Sequence, residues 1–146
     1  MDTAKENKNP IRVAIVDDNE AFRYTSINQL ENAGYIVQFQ VSDSEKALMK
    51  IDEDGEMPDV CIVEEDFAAA KLLLEKHPDL KLLISSTDDA EESVRTMLKA
   101  GVSGYILKFA DPDEIITAVK ALSKDRKYVS VGISEIAAEY FSSHSL

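Results

Sequence analysis

An alternation constrains this chain more than any other feature. Five short apolar runs, IRVAIV (Ile11–Val16), YIVQFQV (Tyr35–Val41), VCIV (Val60–Val63), KLLIS (Lys81–Ser85) and GYIL (Gly104–Leu107), are separated by stretches with helical periodicity. Short runs rich in β-branched residues read as strands, and near-continuous apolar character implies burial on both faces. Tyr35–Val41 instead alternates apolar with polar, as a half-covered edge strand does. Strands that alternate with helices form a parallel sheet with right-handed crossovers and helices on both faces. The expected fold class is therefore α/β and doubly wound, with five parallel strands.

The helical stretches carry their own start and stop signals. The first turns Phe22, Ile27 and Leu30 inward and ends at Gly34. SDSE, Ser42 to Glu45, has capping-box spacing before a helix holding Ala47, Leu48 and Ile51. EESVRTMLKA stops at Gly101, a residue suited to a left-handed cap. DPDE, Asp111 to Glu114, opens the fifth helix with a capping aspartate, a proline and an acidic first turn, and Ile115, Ile116, Val119 and Leu122 face inward. Beyond it, ISEIAAEYF sets Ile133, Ile136, Ala137, Tyr140 and Phe141 on one stripe, either a helix docked on its own domain or a partner or dimer surface. The chain divides into a disordered N-terminus at 1–10, one domain at 11–124, and a helical C-terminal extension at 125–146.

Composition narrows the function classes. The 146 residues suffice for one core, and 45% hydrophobic with 30% charged residues suits a soluble globule. A net charge of −12, from 28 acidic and 16 basic residues, repels nucleic acid and anionic lipid, so neither is an expected partner. The basic group Lys124, Arg126 and Lys127 reads as the favourable cationic end of a helix. There is no signal-peptide pattern and no apolar run of membrane-spanning length. Cys61, alone within an apolar run, reads as a buried thiol in a reducing cytoplasm.

In an open parallel sheet, functional groups gather at the carboxyl ends of the strands. Those ends carry Asp17 and Asp18, then Glu64, Ser85 and Lys108. Each has an ordinary reading: a turn for the aspartates, a cap for Ser85, a solvated end for Lys108, and core for nearby Tyr105. Taken together, three carboxylates, a hydroxyl and an ammonium converge on one pocket. Their order, with IRVAIVDDNEAFR, SSTDDAE and KAGVSGYILK, resembles the response-regulator receiver domain of two-component phosphorelay signalling, the CheY-like superfamily, from Ile11 to Leu122. RKYVSVGISE, and the lack of a proline after Lys108, resemble receivers that precede a LuxR-type DNA-binding domain.

The resemblance implies strand order 2-1-3-4-5. It implies Mg²⁺ held by Asp17, Asp18 and the carboxylate at position 64, with Asp18 ligating directly and Asp17 partly through water. It also implies Lys108 paired with the acidic centre, Ser85 following a phosphoryl oxygen, and Tyr105 as a switch that moves in or out. The implied interface is the fourth helix, fifth strand and fifth helix, with Lys108, Phe109 and Asp111 at its rim. The implied partners are a histidine kinase or a downstream effector, or a second copy in a homodimer.

One segment departs from the family. Its phosphoacceptor aspartate stands six residues after a proline; Pro58 sets that register here, and Glu64 fills the position. EEDFAAAKLLLEKHPD then passes at once into helix formers, so the following loop is deleted, the third helix shortened, or both. Glutamate carries its carboxylate one methylene further out, and a misplacement of about 1 Å can cost roughly a hundredfold in rate. The expectation is an atypical, non-enzymatic receiver: a protein-interaction module independent of phosphorylation, binding Mg²⁺ weakly. The alternative is a working acceptor at Glu64 itself, or at Asp66 if the strand bulges. Asp66 otherwise reads as the cap of the third helix, and Glu65 as a solvated loop charge. A flavin or nucleotide site is excluded, because VDDNEAF after the first strand would repel phosphate. His77, in a KHPD turn, and His144, in the tail, do not suggest a metal site.

Overall fold

The computed structural model describes residues 10–108, 111–130 and 133. Eleven elements follow in order: β1 (Arg12–Val16), α1 (Glu20–Asn32), β2 (Ile36–Val41), α2 (Ser44–Asp54), β3 (Val60–Glu64), α3 (Phe67–Lys76), β4 (Leu82–Ser86), α4 (Glu91–Ala100), β5 (Gly104–Leu107), α5 (Glu114–Ser123) and β6 (Tyr128–Val129). The strands form one parallel sheet in the order β2-β1-β3-β4-β5-β6. The five expected strands and their order are all present. β6, a short sixth strand, lies where the sequence reading placed a helical extension. It runs parallel to β5, with Gly104 beside Tyr128 and Tyr105 beside Val129.

Alternation along the buried strands sends successive side chains into two cores. Val13, Ile15, Ile62, Leu83 and Ile106 meet Leu30 of α1 and Ile115, Val119 and Leu122 of α5. Ala14, Val16, Val63, Leu82, Ile84 and Tyr105 meet α2, α3 and α4 through Ile51, Leu73 and Met97. Each fully buried Leu, Ile or Val contributes about 1.5–3 kcal/mol relative to exposure. Cys61 lies in the second core, where burial pushes its thiol up to about 12 and leaves it unreactive at neutral pH. Of the apolar C-terminal stripe, Ile133 is described and is buried in that same core. Ile136, Ala137, Tyr140 and Phe141 lie outside the described residues, as do residues 1–9 of the N-terminus expected to be disordered at 1–10.

Helix ends follow the expected signals with two corrections. α5 starts at Glu114, later than DPDE implied, and its N-cap Asp113 makes no side-chain cap bond. α2 is capped by Asp43, whose side chain accepts from the Lys46 amide at 2.9 Å; the expected capping box one residue earlier does not form. Asp43 has the extended backbone a cap requires, so its carboxylate takes the orphan amide first. Gly101 closes α4 at φ 101°, a left-handed conformation that a side chain would strain. At Gly104, a Cβ would sit 2.8 Å from the Tyr128 carbonyl oxygen and 2.9 Å from Leu83, so β6 closes against β5 only because that side chain is missing. Among the described residues, no helix is long and apolar enough to cross a membrane.

Candidate functional site at the carboxyl edge of the sheet

The site begins where β1 ends. Asp17 follows directly on four buried strand residues and is itself only 1% exposed, so its charge must be met inside the protein. Lys108, one residue past β5, supplies the counter-charge: its Nζ donates to Asp17 Oδ2 at 2.8 Å. The ammonium also lies 4.3 Å from the centroid of the Phe22 ring, a cation–π contact that fixes its approach. Asp17 Oδ1 accepts from the Asn19 amide at 2.9 Å, and its carbonyl accepts from Arg23 Nη1 at 2.7 Å. Asp18 is exposed at the pocket mouth.

Glu64 closes the other side from the end of β3. Its Oε2 accepts from the Asp18 amide at 3.3 Å, and one oxygen from each of Asp17, Asp18 and Glu64 lies within 4.8 Å of the others. Burial raises the Glu64 pKa above the usual carboxylate range, and the Asp17 charge adds to it, while the Asp18 amide pulls the other way. Three crowded oxygen donors of this kind suit a hard divalent cation, which would relieve their repulsion.

Only Glu65 and Asp66 connect β3 to α3. α3 has ten residues, as do α4 and α5. Asp66 is the N-cap of α3: its Oδ1 accepts from the Ala69 amide at 3.1 Å, outside the acidic cluster. Glu65 departs from expectation. It is half-buried, and its Oε1 accepts from Ser86 Oγ at 3.1 Å.

The two serines at the end of β4 also divide differently from the sequence reading. Ser85 pairs in register with Glu64, but its buried Oγ finds no hydrogen-bond partner among the described residues; it borders a small cavity with Phe22, Ile106 and Lys108. Ser86, on the opposite face, is the serine that meets Tyr105. Tyr105 is fully buried and donates its hydroxyl to the Asp88 carbonyl at 2.6 Å. Burial pushes its phenol up to about 12; the Ser86 hydroxyl works against that rise and the Glu65 and Asp88 charges add to it. Sequence reasoning missed Ser86 and Glu65. Strand parity was the available signal: Tyr105 and Ile84 are register partners in one core, so Ser86, two residues beyond Ile84, shares their face.

At the expected interface rim, Asp111 is exposed and its Oδ1 accepts from the Asp113 amide at 2.8 Å. Phe109 lies outside the described residues. A further buried group ties β5 to the chain beyond α5: Ser130 Oγ donates to Glu114 Oε1 at 2.6 Å and accepts from the Leu107 amide at 3.0 Å.

An open parallel α/β fold with two aspartates, a third carboxylate and a lysine at its carboxyl edge defines a signalling receiver, and residues 13–120 match the response regulator receiver domain; the chain belongs to that family. It is 34% identical over 133 residues to the transcriptional regulatory protein DegU of Brevibacillus brevis, covering 84% of this chain and 54% of DegU. It is 28% identical over 134 residues to the response regulator GacA of Pseudomonas protegens, covering 86% of this chain and 61% of GacA. A two-component response regulator of the LuxR family from Aurantimonas sp. SI85-9A1 shares the fold, with a TM-score of 0.81 at 24% identity over 90% of this chain and 97% of that one. The chain thus spans between about half and two thirds of the length of these curated relatives.

Proposed function

We propose that this receiver is a protein-interaction module whose output does not depend on phosphorylation, with Glu64 fixed in the position of the phosphoacceptor. One observation carries the reading: the β3–α3 connection is cut to two residues, and the carboxylates that could serve as acceptors are already engaged. Glu64 is turned onto the Asp18 amide, and Asp66 is occupied in capping α3. Its partners would be a histidine kinase, a downstream effector or a second copy of the chain, met through α4, β5 and α5 near Lys108, Phe109 and Asp111.

Asp17, Asp18 and Glu64 fit Mg²⁺ by donor type and spacing, and would hold it weakly because Asp17 is already paired with Lys108. In a receiver that cation neutralises charge on a transferring phosphoryl group. Here the protein's own groups would hold the pocket closed: Lys108 anchors β5 to β1, and Glu64 anchors β3 to the Asp18 amide.

Intact mass after incubation with Mg²⁺ and acetyl phosphate tests this, alongside Asp66→Asn and Glu64→Gln variants. The expected result is no phosphoryl adduct on any of the three. An adduct lost only in Asp66→Asn, or only in Glu64→Gln, would overturn the reading and restore a working switch at that carboxylate.

A further inference from the structure

The β3–α3 connection carries one carboxylate that the proposed function leaves unused. Glu65 Oε1 takes the single hydroxyl proton of Ser86 at 3.1 Å, in a place where Ser86 is 3% exposed and water is nearly excluded. With its proton committed there, Ser86 Oγ is left as an acceptor, and it receives the Asp88 amide at 2.8 Å. The Asp88 carbonyl receives the Tyr105 hydroxyl at 2.6 Å. The Asp88 carboxylate receives the Ala90 amide at 2.8 Å and Ser93 Oγ at 2.6 Å, and these bonds lower its pKa. α4 lacks a side-chain cap of its own at Ala90, so its first turn depends on Asp88.

We infer that Glu65 is a resident anionic latch: through Ser86 and Asp88 it holds the β4–α4 loop, the start of α4 and the buried Tyr105 in one fixed arrangement without covalent modification. The inference rests on the proposed phosphorylation-independent function and supplies its device. A charged acceptor makes the first bond stronger than a neutral one, and a low-dielectric setting strengthens each bond that follows. Removing the carboxylate frees the Ser86 hydroxyl to rotate and donate elsewhere, in competition with its role as acceptor for Asp88. The surface formed by α4 and β5 would then lose its fixed shape, while the acidic cluster of Asp17, Asp18 and Glu64 would be left intact.

Hydrogen exchange read by mass spectrometry on the whole chain tests the latch, with no phosphodonor present. Glu65→Ala is expected to speed exchange of amides 87–95 by roughly tenfold, the scale of one charge-assisted hydrogen bond. Glu65→Gln, which keeps an acceptor oxygen but no charge, should fall between. Glu64→Gln should leave that segment at the wild-type rate. In a Ser86→Ala background, Glu65→Ala should add nothing further. Wild-type exchange in Glu65→Ala, equal acceleration in Glu64→Gln, or additive effects in the double variant would each overturn the latch. Those outcomes would leave the mass result of the proposed function standing, and a phosphoryl adduct would sink that function without altering the exchange pattern, so the two failures are distinguishable.

Discussion

On the β1–β5 side of the pocket a buried aspartate is locked to a lysine across the sheet, with a ring beneath the ammonium and two further hydrogen bonds on the aspartate. On the β3–α3 side, three successive acidic residues share the work of a connection only two residues long: Glu64 faces Asp18, Glu65 faces Ser86, and Asp66 caps the helix. The first side is a charge pair that the fold needs whether or not any chemistry occurs. The second has each carboxylate assigned to a local structural bond. The contrast shows that carboxylates around one pocket can serve a long-range charge pair on one side and short-range local bonds on the other.

The largest effect should come from the frame. Lys108→Met keeps the apolar stem over Phe22 but leaves Asp17 buried without its cation, and should cost about 2–4 kcal/mol in urea unfolding at pH 7. Adding Asp17→Asn should recover part of that loss. A cost under about 1 kcal/mol would mean the pair is solvated in practice and would erase the contrast.

On the β3–α3 side, Asp66→Ala should cost about 1 kcal/mol through the lost cap, and Asp66→Asn much less, since asparagine caps as well. Equal losses in the two variants would show that the charge of Asp66, rather than its bond to Ala69, matters.

The smallest effect should be a gain. The folded-state pKa of Glu64 is raised, so the folded protein binds this proton more tightly than the unfolded chain does. Its contribution is fully present below the unfolded pKa and is lost as pH rises through the folded value. At neutral pH the ionised carboxylate is therefore a cost, and Glu64→Gln should raise Tm by about 1–3 °C at pH 7. The gap should close as the pH falls below the usual carboxylate range. A lower Tm at pH 7 would mean that the bond to the Asp18 amide outweighs the repulsion.

The sequence was legible where physical periodicity is strong. Four of the five strands lie largely within buried apolar runs, and the caps follow from one residue each, the carboxylate of Asp66 and the missing side chain of Gly101. It was less legible where two neighbours compete for one role. Asp43 won the cap over Ser42 because backbone angles, not spacing, decide which oxygen reaches the amide. Ser86, which the sequence reading passed over, meets Tyr105 because of parity along β4, which is fixed by a register known only after pairing. Glu65 read as a solvated charge because nothing local announces that a two-residue connection must fold back against β4. β6 was missed because a two-residue strand is stabilised by what it meets, including the bare Cα of Gly104, more than by its own composition.

That short strand has a consequence for how copies of the chain behave together. β5 presents its outer backbone groups to Tyr128 and Val129 rather than to solvent. Without that cover, β5 would offer open amides and carbonyls from an apolar segment, a template on which another chain can add a strand. The space at Gly104 thus bears on colloidal behaviour as well as on packing. A side chain there would loosen β6 and convert a protected margin into a sticky one, with self-association that rises with protein concentration.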